Sequence, residues 1–230
     1  GAWTETEIRD VAGLVFSDLG VYHVEHKRGR GNSRVFKLTG NHSSHYLLKI
    51  YPDRQLDSRP RLETEFAACQ ELVSRMYPVA APIAADKNLG WSLFSWVEGD
   101  SIEGPDAQFL TCATDFIQRL NFDSHEFKAF DQFSLASEAC LSGAEIVSQI
   151  QQRIEKLLKV ESEALKAFLD REYIPYFALA TKVAREKAGP LFDVTLQRSL
   201  QIPSPSDFGS HNALRDAAGR VTFIDFEYFG

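Results

Sequence analysis

Three polar residues near the end of the chain stand in a fixed order: Asp207, Asn212 and Asp225, five and then thirteen positions apart. An acidic group can orient a hydroxyl and take up its proton. An amide oxygen and a second carboxylate are hard oxygen ligands of the kind Mg²⁺ takes. Together they are what transfer of a phosphoryl group to a hydroxyl needs. Around them, PSDFGSHNALRDAAGRVTFIDFEYFG predicts a turn at RDAAG, then a short strand over VTFIDFE, with Val221, Phe223 and Phe226 as its bulky strand formers, that runs into a second turn.

Such a site also needs fixed positive charge, and two earlier stretches can supply it. Lys49 sits in HYLLKIY, an apolar strand. A lysine there either lies on the solvent side or is turned toward phosphates and held by a carboxylate. The segment Arg61 to Met76, RLETEFAACQELVSRM, predicts a helix, with Pro60 before it and Tyr77-Pro78 ending it. Its apolar stripe is Leu62, Phe66, Cys69, Leu72, Val73 and Met76. Glu65 falls inside that stripe and Glu63 does not. An acid on a buried face needs a partner, either Lys49 or an arginine. Upstream, RGRGNSR places Gly29, Gly31, Asn32 and Ser33 between two strand-like runs, with Arg30 and Arg34 adding charge. Its glycines can bring backbone N–H groups close to an anion. The strand–turn–strand layout suits either an ordinary hairpin or a flap over phosphates, and no GxxxxGK[ST] occurs.

The elements around these residues predict an α+β chain. Residues Glu5 to Leu19 read as a short helix or mixed segment. Val21 and Val24 mark one strand and Val35, Phe36 and Leu38 the next. PVAAPIAADKNLGWSLFSWVEGD reads as two strands joined at Asp86-Lys87-Asn88. Ser95 and Val97 end the second, where backbone groups could hydrogen-bond an adenine ring in an apolar cleft. Strand residues dominate before Gly99 and helical patterns after it, which predicts a strand-rich lobe over 1–98 and a mainly helical lobe over 99–230. Within the latter, residues 107–120 form a helix with Phe109, Leu110, Ala113, Phe116, Ile117 and Leu120 on its apolar side. Residues 121–133 form a loop, 135–158 a long helix, and 163–187 a helix bent at Pro175.

The 230 residues, 44% of them apolar and 25% charged, allow one large domain or two lobes. A net charge of −7 argues against a nucleic-acid partner and permits a cationic small substrate. Cys69, Cys112 and Cys140 have no CxxC partner and read as unpaired thiols of a reducing compartment. With neither a signal peptide nor a membrane-length apolar run, the expected location is cytoplasmic.

On these residues the chain resembles the aminoglycoside phosphotransferase and choline kinase-like family, a branch of the two-lobed protein kinase-like fold. The resemblance implies an antiparallel-sheet lobe and a helical lobe. It implies ATP and Mg²⁺ as cofactors and the hydroxyl of a sugar, aminoglycoside or amino alcohol as acceptor. It gives Asp207 the catalytic role and Asn212 and Asp225 the metal. Lys49 contacts phosphate with Glu65 as its helix partner, and RGRGNSR is the phosphate loop. Two departures stand out. Pro205 occupies the position where the family usually has a histidine. The chain also stops at Gly230, just after the metal-binding turn, so it reads as truncated, with a further C-terminal segment or a partner chain expected to complete the acceptor pocket. These departures keep open an alternative: a kinase-like nucleotide-binding or scaffold protein without useful turnover. A protein kinase is disfavoured, because neither an HRD triplet nor an APE-like segment is present.

Overall fold

Five runs of bulky and β-branched residues pair into one antiparallel sheet. They are β1 (His23–Lys27), β2 (Arg34–Thr39), β3 (His45–Ile50), β4 (Pro82–Asp86) and β5 (Trp91–Ser95), in the order β1-β2-β3-β5-β4. In this computed structural model residues 4, 6–8, 19–21, 23–27, 33–53, 55, 57, 59–126 and 133–230 are described. Most of the expected first helix, and Gly29, Gly31 and Asn32 of the glycine-rich turn, lie outside the described residues.

Strand alternation sorts the sheet into two faces. Leu48 and Ile50 join Val24, Phe36, Leu38, Trp91 and Leu93 in one buried cluster, with Ile8. Leu47 packs on the opposite face with Phe94, in a second cluster with Cys69, Leu72, Phe116 and Phe223. Lys49 shares the parity of Leu47, so it points to this second face. Its strand neighbours in register are Val35 on β2 and Ser92 on β5.

Helix α1 (Arg61–Ser74) follows, and buries Arg61, Leu62, Glu65, Ala68, Cys69 and Leu72. Met76, expected on its apolar stripe, is instead 83% exposed. The helix has already ended. Met76 adopts the left-handed conformation (φ 59°), the Tyr77 N–H reaches back to the Leu72 carbonyl at 3.0 Å, and the Met76 N–H bonds Val73 at 2.9 Å. This is a Schellman closure, whose left-handed position is normally glycine. Tyr77, buried, packs in place of Met76. Met76→Gly should therefore stabilise the protein by about 1 kcal/mol, because an exposed side chain in a strained conformation is replaced by none. Urea melts of the two proteins check this.

A three-stranded sheet, β6 (Asp100–Ser101), β7 (Ala213–Arg215) and β8 (Val221–Phe223), runs antiparallel throughout. The β7–β8 turn is closed by the Asp216 carboxylate, which accepts from the Ala218 and Arg220 N–H groups. Helix α2 (Ala107–Asp123) starts at Asp106, whose side chain accepts from the Phe109 N–H. It extends past the expected end at Leu120 into the segment read as loop. Its buried stripe is Phe109, Phe116 and Leu120; Leu110 and Ile117, expected on the same side, are 53% and 39% exposed. Each lies one residue, about 100°, beyond a buried phenylalanine, and the apolar face is too narrow to include them.

The strands, α1 and α2 belong to one compact unit, residues 1–137 with 202–230; residues 138–201 form another. In the second unit the expected helix over 135–158 begins only at Gly143 (α3, Gly143–Leu157). Ser142 caps it, accepting from the Glu145 N–H, while Glu145 reaches back to the Leu141 N–H. The Ser-x-x-Glu capping box marks this start in the sequence. Helix α4 (Glu163–Phe168) continues through a π-helical turn (Leu169–Tyr173) into α5 (Ile174–Ala188). The π turn lies immediately before Pro175, which cannot donate to the helical ladder. Ile154, Leu169 and Phe192 are the buried apolar residues of this unit. Among the described residues no helix is long and apolar enough to cross a membrane. All three cysteines are free thiols.

Candidate active site

Lys49 is the centre of a buried ionic network. Its ammonium lies 2.7 Å from Glu65, 2.6 Å from Asp225 and 3.3 Å from Glu227. β3 supplies the lysine and α1 the first carboxylate, while the turn after β8 supplies the other two. The Tyr51 hydroxyl donates to Glu65 at 2.6 Å and shares a hydrogen bond with Ser92 at 2.9 Å. Ser33 donates to Glu227 at 3.1 Å. Arg61, on the first turn of α1, binds Glu227 and Asp57. With Arg59, which also pairs with Asp57, three cations among the described residues face four carboxylates, a balance that leaves room for added positive charge.

Burial and pairing oppose each other here. Burial works against the charge of Lys49, yet Glu65, Asp225 and Glu227 hold its pKa well above the ordinary lysine value. Burial pushes the Glu65 carboxyl up against the pull of Lys49. Cys69, one turn further along α1, has its thiol pushed up by burial and by Glu65, and is therefore unreactive.

Asp225 differs from the other two carboxylates. Glu65 and Glu227 are nearly fully enclosed, whereas a third of the Asp225 side chain is exposed. Among the described residues Lys49 is the partner of its carboxylate. Its backbone is left-handed (φ 69°), which turns the chain sharply after β8. A backbone bond from the Ile224 N–H to the Asn212 carbonyl, 2.9 Å, ties this turn to the loop that carries Asn212. The Asn212 amide nitrogen donates to the Asp207 carbonyl at 3.0 Å, leaving the side-chain oxygen as the ligand atom. Asn212 and Asp225 therefore offer a divalent cation two oxygen ligands, and this donor set suits Mg²⁺. Glu65, Asp225 and Glu227 also bring carboxylate oxygens within 4.8 Å of one another, though Lys49, Tyr51, Arg61 and Ser33 occupy the first and last.

These groups line one cavity of about 400 Å³. Its lining combines polar Ser33, Lys49, Glu65, Asn212, Asp225 and Glu227 with apolar Val35, Leu47, Ala80, Val97, Leu214 and Ile224. Ser95 and Trp96 also border it. The Ser95 N–H and hydroxyl both bond Ala81, at 2.8 and 2.9 Å, which pins the strand end beside Val97. The structure thus brings Ser33, Lys49, Glu65, Ser95, Val97, Asn212 and Asp225 to a single cavity. Asp207 is outside its lining. Half exposed, its carboxylate accepts from the His211 Nε2–H at 3.1 Å, and His211 does line the cavity. Gly209 allows this fold-back, because a Cβ there would collide with the His211 ring. The loop is anchored without a histidine at position 205. Phe208 stacks on Phe223 with centroids 4.5 Å apart, Ser206 donates to the Ser137 carbonyl at 2.8 Å, and Ser204 pairs with Gly230.

A family model described as "Phosphotransferase enzyme family" matches residues 24–137. Among curated proteins no sequence match is found. Solved structures match over nearly the whole chain. The streptomycin–ATP ternary complex of APH(2″)-IIa is 17% identical over 100% of this chain and 72% of its own, with a TM-score of 0.58. The GDP complex of a mutant aminoglycoside 2′-phosphotransferase-IIIa is 12% identical over 99% and 73%, with a TM-score of 0.66. Choline kinase LicA from Streptococcus pneumoniae is 14% identical over 96% and 69%, with a TM-score of 0.51. In sequence over residues 24–137, and in its kinase-like α+β fold, this chain resembles the aminoglycoside phosphotransferase and choline kinase-like family.

Proposed function

We propose that the protein is an ATP-dependent phosphotransferase acting on a hydroxyl of a small molecule, such as an aminoglycoside, a sugar or an amino alcohol. The observation that carries this reading is Lys49, held between Glu65 and Asp225 in a cavity that apolar side chains also line. Those apolar side chains take the base, with the backbone at Ser95 and Val97 along its edge. Lys49 takes the phosphate oxygens, helped by Ser33 and by the backbone of Gly29, Gly31 and Asn32. Glu65 keeps Lys49 extended toward them. Asn212 and Asp225 would hold Mg²⁺, which would neutralise charge on the phosphate oxygens. Asp207 orients the acceptor hydroxyl and takes up its proton, with His211 fixing its carboxylate. Similar solved structures are complexes with ATP, ADP or GDP, which supports a purine nucleotide as donor.

A second reading, nucleotide binding without turnover, draws on one observation: Asp207 lies outside the cavity lining. The two are separated by following ATP consumption over a panel of aminoglycosides, sugars and amino alcohols, with Asp207→Asn alongside. The phosphotransferase reading expects acceptor-dependent consumption that falls by about 10²–10⁴-fold in the variant, the usual contribution of a general base. Nucleotide binding with no acceptor-dependent consumption across the panel would favour the second reading.

A further inference from the structure

Helix α1 presents two charged residues on its buried face, one turn apart, and only Glu65 is explained by the site as described. The other, Arg61, is 3% exposed. Its guanidinium binds Glu227 through one nitrogen, reaches Asp57 with Nε at 2.7 Å, and lies over the Tyr228 ring at 5.0 Å. Glu227 is as enclosed as Lys49, from which it is 3.3 Å away. Without Arg61, Glu227 would have Lys49 as its cation, and a lysine that left for a phosphate would strand a buried carboxylate. With Arg61 in place the charge of Glu227 is met by a group that never deprotonates and holds two acceptors in a fixed fork. Glu227 is also two residues from Asp225, so the same contact fixes the turn that presents Asp225.

We propose that Arg61 is a positioning residue. By holding Glu227 it keeps Asp225 aimed into the cavity and lets Lys49, still held by Glu65, exchange Glu227 for nucleotide phosphates. Helix α1 thereby grips the site twice, through Glu65 on the lysine and through Arg61 on the turn after β8. This rests on Lys49 being the phosphate ligand.

The test compares wild type, Arg61→Met, Arg61→Lys, Glu227→Gln and the Arg61→Met/Glu227→Gln double variant. Calorimetric titration with ATP at fixed Mg²⁺ gives affinity, and thermal melts without nucleotide give stability. Arg61→Met should weaken binding by about 10–100-fold, as loss of a ligand-orienting partner does. Arg61→Lys, which keeps charge but not the fork, should fall between it and wild type. The double variant should bind at least about tenfold more tightly than Arg61→Met, because the stranded carboxylate is gone. An arginine that served stability alone would lower the melting temperature and leave the affinity of the folded protein unchanged. Wild-type affinity in folded Arg61→Met, or a double variant as weak as Arg61→Met, overturns the inference. If Arg61→Met does not fold, wild-type affinity in Arg61→Lys or no binding by the folded double variant overturns it. Absence of ATP binding in wild type is a separate outcome, which brings down the phosphotransferase reading and this inference with it.

Discussion

Asp225→Asn should remove the Mg²⁺-dependent part of ATP affinity, a loss of at least about tenfold, while the fold stays intact. The substitution keeps the side chain's shape. Asparagine also tolerates the left-handed backbone that residue 225 adopts, at φ 69°, better than any residue but glycine. What disappears is one negative charge, on the carboxylate that opens to the cavity. Lys49 keeps Glu65 at 2.7 Å and Glu227 at 3.3 Å, so the buried network is not stranded. Titration calorimetry with and without Mg²⁺ separates the two components of binding. If the variant retained the metal-dependent component, Asp225 would lose its role.

Lys49→Met should have the opposite profile, damaging stability as much as binding. It leaves Glu65, Asp225 and Glu227 without their shared cation, and the first and last are nearly fully enclosed. Removing one partner from a buried ionic cluster costs about 3–5 kcal/mol. The pH dependence has a definite sign. Burial already raises the Glu65 carboxyl above its ordinary value of 4.5, and Lys49 pulls against that rise. In the variant the pull is gone, so the folded pKa climbs further. A raised folded pKa favours the folded state at low pH, and that contribution is lost as pH rises through it. The deficit relative to wild type should therefore be smaller at pH 5 than at pH 8. Urea melts at both values measure it, and an equal deficit at the two would mean Glu65 does not bear the stranded charge.

Much of this arrangement was legible in the sequence because it is periodic. Glu65 falls on the apolar stripe of α1, so its burial and its need for a cation follow from spacing alone. The alternation of β3 identifies Lys49 as a charged residue within a buried strand, but leaves the choice of face to its neighbours. The residues that were missed are those whose partners lie far away in the chain. Glu227 lies among aromatic residues in FEYF, with no period to mark it as buried; in the structure it meets Ser33, Lys49 and Arg61, all from the first third of the sequence. Arg61 opens a helix, where a charge is ordinarily exposed. Its place four residues before Glu65, on the same face, was the available signal. Tyr51, just past β3, reaches Glu65 and shares its hydroxyl with Ser92, which the β3–β5 pairing brings alongside. Apolar spacing alone extends the helix over 143–157 back to residue 135, past the Ser142 capping box, and it puts Met76 on the α1 stripe because a Schellman closure there ends the helix without a glycine.

The most direct test of the central claim is ATP titration into the wild-type protein by calorimetry, with Mg²⁺ and with chelator. The cavity at Lys49 and Asp225 predicts one nucleotide per chain, bound at least about tenfold more tightly with Mg²⁺. No saturable binding, or an affinity indifferent to the metal, would contradict it.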